Sequence, residues 1–119
     1  MRLIRHPWVG RDLTALVEHI VDLTQGDHAA AVRRLDEVDA LLADILANPL
    51  SGMRLAVPLD GWRVRHGGRG HRITIVFCPD READRLFVAL VAFGGQDWMT
   101  KGEARKAFQA VFHIKNNVL

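Results

Sequence analysis

The apolar periodicity of this chain changes once, at Gly52, and that change restricts the folds open to it. Before it, large apolar residues recur at helical spacing. From about Gly10 to Gln25 they fall at Leu13, Leu16, Val17, Ile20, Val21 and Leu23. A second stripe over His28–Ala47 is made by Val32, Leu35, Val38, Leu42, Ile45 and Leu46, with charges on the far face. Gly26 suits the left-handed position after the first helix, and Asp27 suits the N-cap of the second. Asn48-Pro49 ends the pair. Two amphipathic helices joined by so short a turn are expected to form a hairpin.

After Gly52 the spacing alternates. Trp62, Val64 and His66 share one side and Arg63 and Arg65 the other. Gly67-Gly68-Arg69-Gly70 reads as a hairpin loop, and His71–Phe77 as a strand with Ile73, Ile75 and Phe77 on one face. Arg85–Phe93 is the most apolar segment and is expected to be central, with Leu86, Val88 and Leu90 opposite Phe87, Val91 and Phe93. Residues 2–6 read as an edge strand stopped by Pro7. A short third helix is expected over Glu103–Phe112, and residues 113–119 as a loose tail.

The expected fold is therefore a single α+β domain over residues 1–119. A helical hairpin packs on a small, mostly antiparallel four-stranded sheet, with a short helix at the end. Arg63, Arg65 and Arg72 are expected to share the uncovered sheet face, opposite the helices.

Composition narrows the class. Hydrophobic residues make up 49% and charged residues 25%, a globular balance rather than a disordered one. The single cysteine, Cys78, excludes an internal disulfide. The N-terminus lacks the apolar core of a signal peptide, and no run is long enough for a bilayer, so a cytoplasmic protein without membrane contact is expected. Net charge is only +2, but its distribution is uneven. Arg54, Arg63, Arg65, Arg69 and Arg72 face one acid, Asp60, whereas Asp27, Asp36, Glu37, Asp39 and Asp44 dominate the second helix. Such a basic patch attracts an anionic partner.

The order of elements, with four local stretches, resembles the RelE/ParE superfamily of bacterial toxins. The stretches are Asn48-Pro49-Leu50-Ser51-Gly52, Trp62-Arg63-Val64-Arg65, His71–Phe77 and Phe93-Gly94-Gly95-Gln96-Asp97-Trp98. Members pair a strand and helical hairpin with a three-stranded meander, and a cognate antitoxin neutralises them. The resemblance implies one of two activities. RelE-like members cut messenger RNA on the ribosome, and ParE-like members poison DNA gyrase without a hydrolytic site.

Cleavage needs an activated 2′-hydroxyl, a stabilised phosphorane and a protonated leaving oxygen. By family position Arg63, Arg65 and Arg72 would stabilise charge, and His66 and His71 would move protons. Two departures favour the ParE-like branch. Gly94-Gly95-Gln96-Asp97 stands where nucleases carry a basic residue, and the chain has no tyrosine. In that branch Arg63, Arg65, Arg69, Arg72, Gln96 and Trp98 would contact the target. No metal or cofactor is expected, because His6, His19, His28 and His113 lack ligand spacing. A third reading is a non-toxic binding domain of the same fold. The plain alternative for each arginine is surface charge that protects a sheet edge.

Overall fold

A computed structural model describes residues 1–109. The elements run β1 (Arg2–Arg5), α1 (Val9–Leu23), α2 (His28–Ala47), β2 (Met53–Arg54), β3 (Arg63–Gly67), β4 (Ile73–Asp80), β5 (Arg85–Phe93) and α3 (Trp98–Arg105). A 3₁₀ turn at Arg69–His71 links β3 to β4. The chain is α+β, and the described residues form three helices and a five-stranded mixed sheet in the order β1-β5-β4-β3-β2. This corrects the expected four strands. Met53–Arg54 adds a two-residue edge strand, too short to leave a periodic signal. β1 runs parallel to β5, and the other neighbours are antiparallel.

Local chemistry accounts for the helix limits. The Asp27 carboxylate accepts a hydrogen bond from the Ala30 amide at 3.0 Å, so α2 begins where the cap allows. Gly26 at φ 101° and Gln25 at φ 56° turn the chain between the helices. The third helix starts earlier than expected, because the Asp97 carboxylate accepts from the Thr100 amide at 3.1 Å. That correction moves its start from Glu103 to Trp98. Residues 110–112 of the expected helix and the 113–119 tail lie outside the described residues.

The sheet is covered on both faces. On one side, Leu16, Ile20, Val38, Leu42 and Ile45 of the helices pack on Ile73, Ile75, Phe77, Leu86 and Val88. On the other, Leu59 and Trp62 join Val64, Val76, Phe87 and Leu90, with Trp98 and Phe108 packed against them. Burying each large side chain contributes roughly 1.5–3 kcal/mol, so a sheet with two covered faces explains why β4 and β5 are apolar almost throughout. The face opposite the hairpin is thus a second core, not the open surface expected.

β5 does not alternate strictly. Val76 pairs with Leu90 and Phe77 with Val88, which leaves Ala89 as an extra residue in a bulge. The bulge moves Val91 and Phe93 to the hairpin side with Leu86 and Val88, and sends Leu90 to the other side with Phe87. Simple alternation kept Leu86 with Val88 but placed Leu90 beside them and put Val91 and Phe93 with Phe87.

The bulge lies just past the end of β1, where no strand among the described residues lies beside the outer edge of β5. Side chains pair its backbone there. Asp12 Oδ2 accepts from the Val91 amide at 3.0 Å, and Gln96 Oε1 accepts from the Phe93 amide at 3.0 Å. Arg105 Nη1 donates to the Ala89 carbonyl at 3.1 Å and to Asp12 Oδ2 at 2.6 Å, and its Nη2 donates to Asp12 Oδ1 at 3.0 Å. This bidentate pair joins α1, β5 and α3, and it is shielded from water.

Candidate functional site

Register decides where the basic residues of β3 go. Arg63 stands opposite Phe77 and Arg65 opposite Ile75, both members of the core under the helices. Val64 stands opposite Val76, in the second core. Arg63 and Arg65 therefore lie on the hairpin side of the sheet, which corrects their expected placement. They are also committed to neighbours. Arg63 Nη1 donates to the Leu50 carbonyl at 2.8 Å. Arg65 donates to Ser51 Oγ at 2.8 Å and to Asp44 Oδ2 at 2.6 Å. The two arginines clamp the end of α2 and the Pro49–Gly52 corner onto β3. Gly52 completes this corner at φ 80°, where a Cβ would collide with the Val64 carbonyl.

Arg72 lies elsewhere, before the start of β4 and past the last β3–β4 pair, Gly67 with Ile73. Its guanidinium lies over the Phe93 ring, 5.3 Å from the centroid. There it lines a cleft of about 390 Å³ with Ile20, Leu23, Arg34, Arg69 and Phe93. A second concavity shares Arg72 and Phe93 and continues past His19 to Gln96. The His19 ring tilts against Phe93 at 5.7 Å. The three expected guanidiniums thus divide into a structural pair, Arg63 and Arg65, and one member of a different cluster.

The turn that carries Arg69 and Arg72 bends through left-handed residues: Gly68 at φ 73°, Gly70 at φ 68° and His71 at φ 55°. Glycine adopts this backbone without penalty, but a histidine does so at a cost. Arg34 donates from Nη1 to both Glu37 carboxylate oxygens at 2.7 Å. Among the described residues, neither Arg69 nor Arg72 has an acidic partner.

The remaining expected residues are dispersed. His66 Nδ1 is 2.8 Å from Thr74 Oγ1, and its ring meets Trp98 edge-on at 6.2 Å, on the α3 side of the sheet. His66 is therefore separated by the sheet from Arg63 and Arg65. His71 is exposed in its turn. Gln96 caps the Phe93 amide, and Trp98 packs against the second core. Cys78 is buried, its thiol donating to the Gly61 carbonyl at 3.1 Å, and burial pushes the thiol pKa up. That is the opposite of what a nucleophile needs.

Two cleft residues, Arg34 and His19, carried no assignment from sequence. Their helical positions gave one usable signal. His19 lies between Leu16 and Ile20 on α1, so it borders the buried stripe. Among the described residues, no group of three or more histidine, cysteine or acidic side chains converges as a metal site. No helix there is long and apolar enough to cross a membrane. No protein-family model, curated protein or solved structure matches the chain.

Proposed function

We propose that this chain is the toxin of a type II toxin–antitoxin pair, ParE-like in the wider sense. It acts by protein contact on an essential target such as DNA gyrase, and a cognate antitoxin neutralises it. The toxin half of this reading rests on the RelE/ParE resemblance. It is supported by the element order, in which a strand and two packed helices precede a meander.

The non-hydrolytic half is carried by one observation, the separation of His66 from Arg63 and Arg65 across the sheet. Message cleavage needs a proton-transfer group and charge-stabilising donors within hydrogen-bond reach of one phosphate. Arg63 and Arg65 are also spent on Leu50, Ser51 and Asp44, so recruiting them would dismantle the corner after α2. The RelE-like alternative is better served around Arg72, because His19 and Arg72 border one concavity. In that reading His19, rather than His66, moves the proton.

Induction of the chain alone, and together with its neighbouring gene, tests the proposal by growth, plasmid topology and message integrity. Growth arrest with disturbed supercoiling and intact message, relieved by the neighbour, is the expected result. Cleaved message on translating ribosomes would reject it in favour of the nuclease. Unimpaired growth would leave only a binding domain of this fold.

A further inference from the structure

From the cleft at Arg72 we infer a receptor site for a carboxylate carried beside a large apolar side chain, as in an acidic, leucine-rich peptide segment. The first argument is charge. The cleft brings together Arg34, Arg69 and Arg72, and only Arg34 is paired, through Glu37. Within the sheet, by contrast, Arg63, Arg65 and Arg85 donate to a carbonyl or a carboxylate. Two guanidiniums held in one concavity repel each other, and an incoming anion relieves that repulsion.

The second argument is preorganisation. Contact with the Phe93 ring face restricts the Arg72 guanidinium, so fewer rotamers are lost when its N–H fork takes a carboxylate. The third is the cleft floor. Ile20, Phe93 and Leu23 supply apolar surface beside the cations, and Leu23 is 63% exposed. A bare anion would leave that surface wet, whereas a ligand with an apolar arm covers it.

The same residues argue against nucleic acid. A phosphate backbone needs a continuous basic track. Here Arg34 of the cleft is already held by Glu37, and Asp36 and Asp39, on either side of Glu37 along α2, are exposed. One carboxylate fits the two free cations, whereas a run of phosphates meets the acidic helix.

This inference does not depend on toxicity, so a chain that fails the growth test can still satisfy it. The test is an NMR titration of the ¹⁵N-labelled protein with acetyl-leucyl-glutamyl-leucinamide. Saturable shifts are expected at the arginine Nε–H groups of Arg69 and Arg72 and at the amides of the 68–73 turn. The glutamine analogue of the peptide should bind about tenfold more weakly, since each charge-assisted contact is worth about that factor. Arg72→Gln should weaken binding about tenfold, and Arg72→Lys should fail to restore it, because lysine lacks the planar fork. Arg69→Gln gives a second reading at an exposed residue, with the fold checked by its unchanged core methyl spectrum. Absence of saturable shifts, shifts away from the cleft, or equal binding of both peptides would overturn the inference. Inorganic phosphate binding as tightly as the peptide, or hexauridylate binding more tightly, would also overturn it.

Discussion

Replacing Asp12 or Arg105 by alanine should be among the most damaging single changes available in this domain. Their side chains are 3% and 7% exposed, so either replacement strands a charge away from water. Breaking a buried ion pair by removing one partner costs about 3–5 kcal/mol. For a chain of 119 residues total stability is on the order of 6–18 kcal/mol, so the loss is a large share of it. At this size it lowers Tm by roughly 10–20 °C. Arg105→Ala should be the milder of the two, because Lys101 Nζ lies 3.6 Å from Asp12 Oδ1 and can partly replace the lost cation. Asp12→Ala also orphans the Val91 amide.

The double variant removes both charges together, so its cost should fall below the sum of the single losses by at least about 2 kcal/mol. It should not return to wild type. The Val91 amide and the Ala89 carbonyl stay buried without their partners, at about 1–3 kcal/mol each. Urea unfolding of the three variants, followed by fluorescence of the buried Trp62, measures the cycle. Single losses below about 1 kcal/mol, or additivity within about 0.5 kcal/mol, would refute the claim that this pair seals the bulge.

Three further outcomes are expected. The His6 pKa is lowered from 6.5, first by burial and then by Arg105, with Asp12 pulling the other way. Its folded value lies below its unfolded one, so its contribution is intact above about pH 6.5 and is lost as pH falls from there toward the folded value. A proton NMR titration with a His6 midpoint at or above 6.5 would contradict this. Gly52→Ala should cost more than about 2 kcal/mol in chemical unfolding, since φ is 80° and the Val64 carbonyl occupies the space. A neutral result would mean that the corner after α2 can move. Asp27→Ala should cost about 1 kcal/mol by loss of the α2 cap, with Asp27→Asn close to wild type, in the same unfolding assay.

The sequence made some of these features legible and hid others, for identifiable reasons. α2 was readable to its ends because the apolar stripe, the Asp27 cap and Asn48-Pro49 all act within a few residues. The alternation Ile73, Ile75 and Phe77 predicted the inner face of β4, because the extra residue of the bulge lies on β5 and leaves the β4 side regular. β5 defeated the same logic because a bulge is set by pairing with a distant strand and leaves alternation locally plausible. The face of Arg63 and Arg65 was misread for a related reason. A charged row suggests open solvent, but at a sheet margin it can equally reach over to cap a helix end, as Arg65 does at Asp44. Asp12 did carry a signal. It falls four residues before Leu16 and eight before Ile20, on the buried stripe, where a carboxylate requires a partner. What no spacing rule supplied was that the partner would be Arg105.

The parallel pairing of β1 with β5 bears on how the polypeptide comes off the ribosome. Of the described strands, β1 is made first yet is among the last to find its neighbour, because Arg2 to Arg5 bond to Arg85 to Val88. The helices and the three-strand turnback involve nearby stretches and can organise during synthesis, whereas the leading segment must wait for nearly all of the described chain. Until then the outer margin of β5 presents bare amides and carbonyls. A nascent molecule is therefore at its most adhesive in the interval before β1 docks on β5.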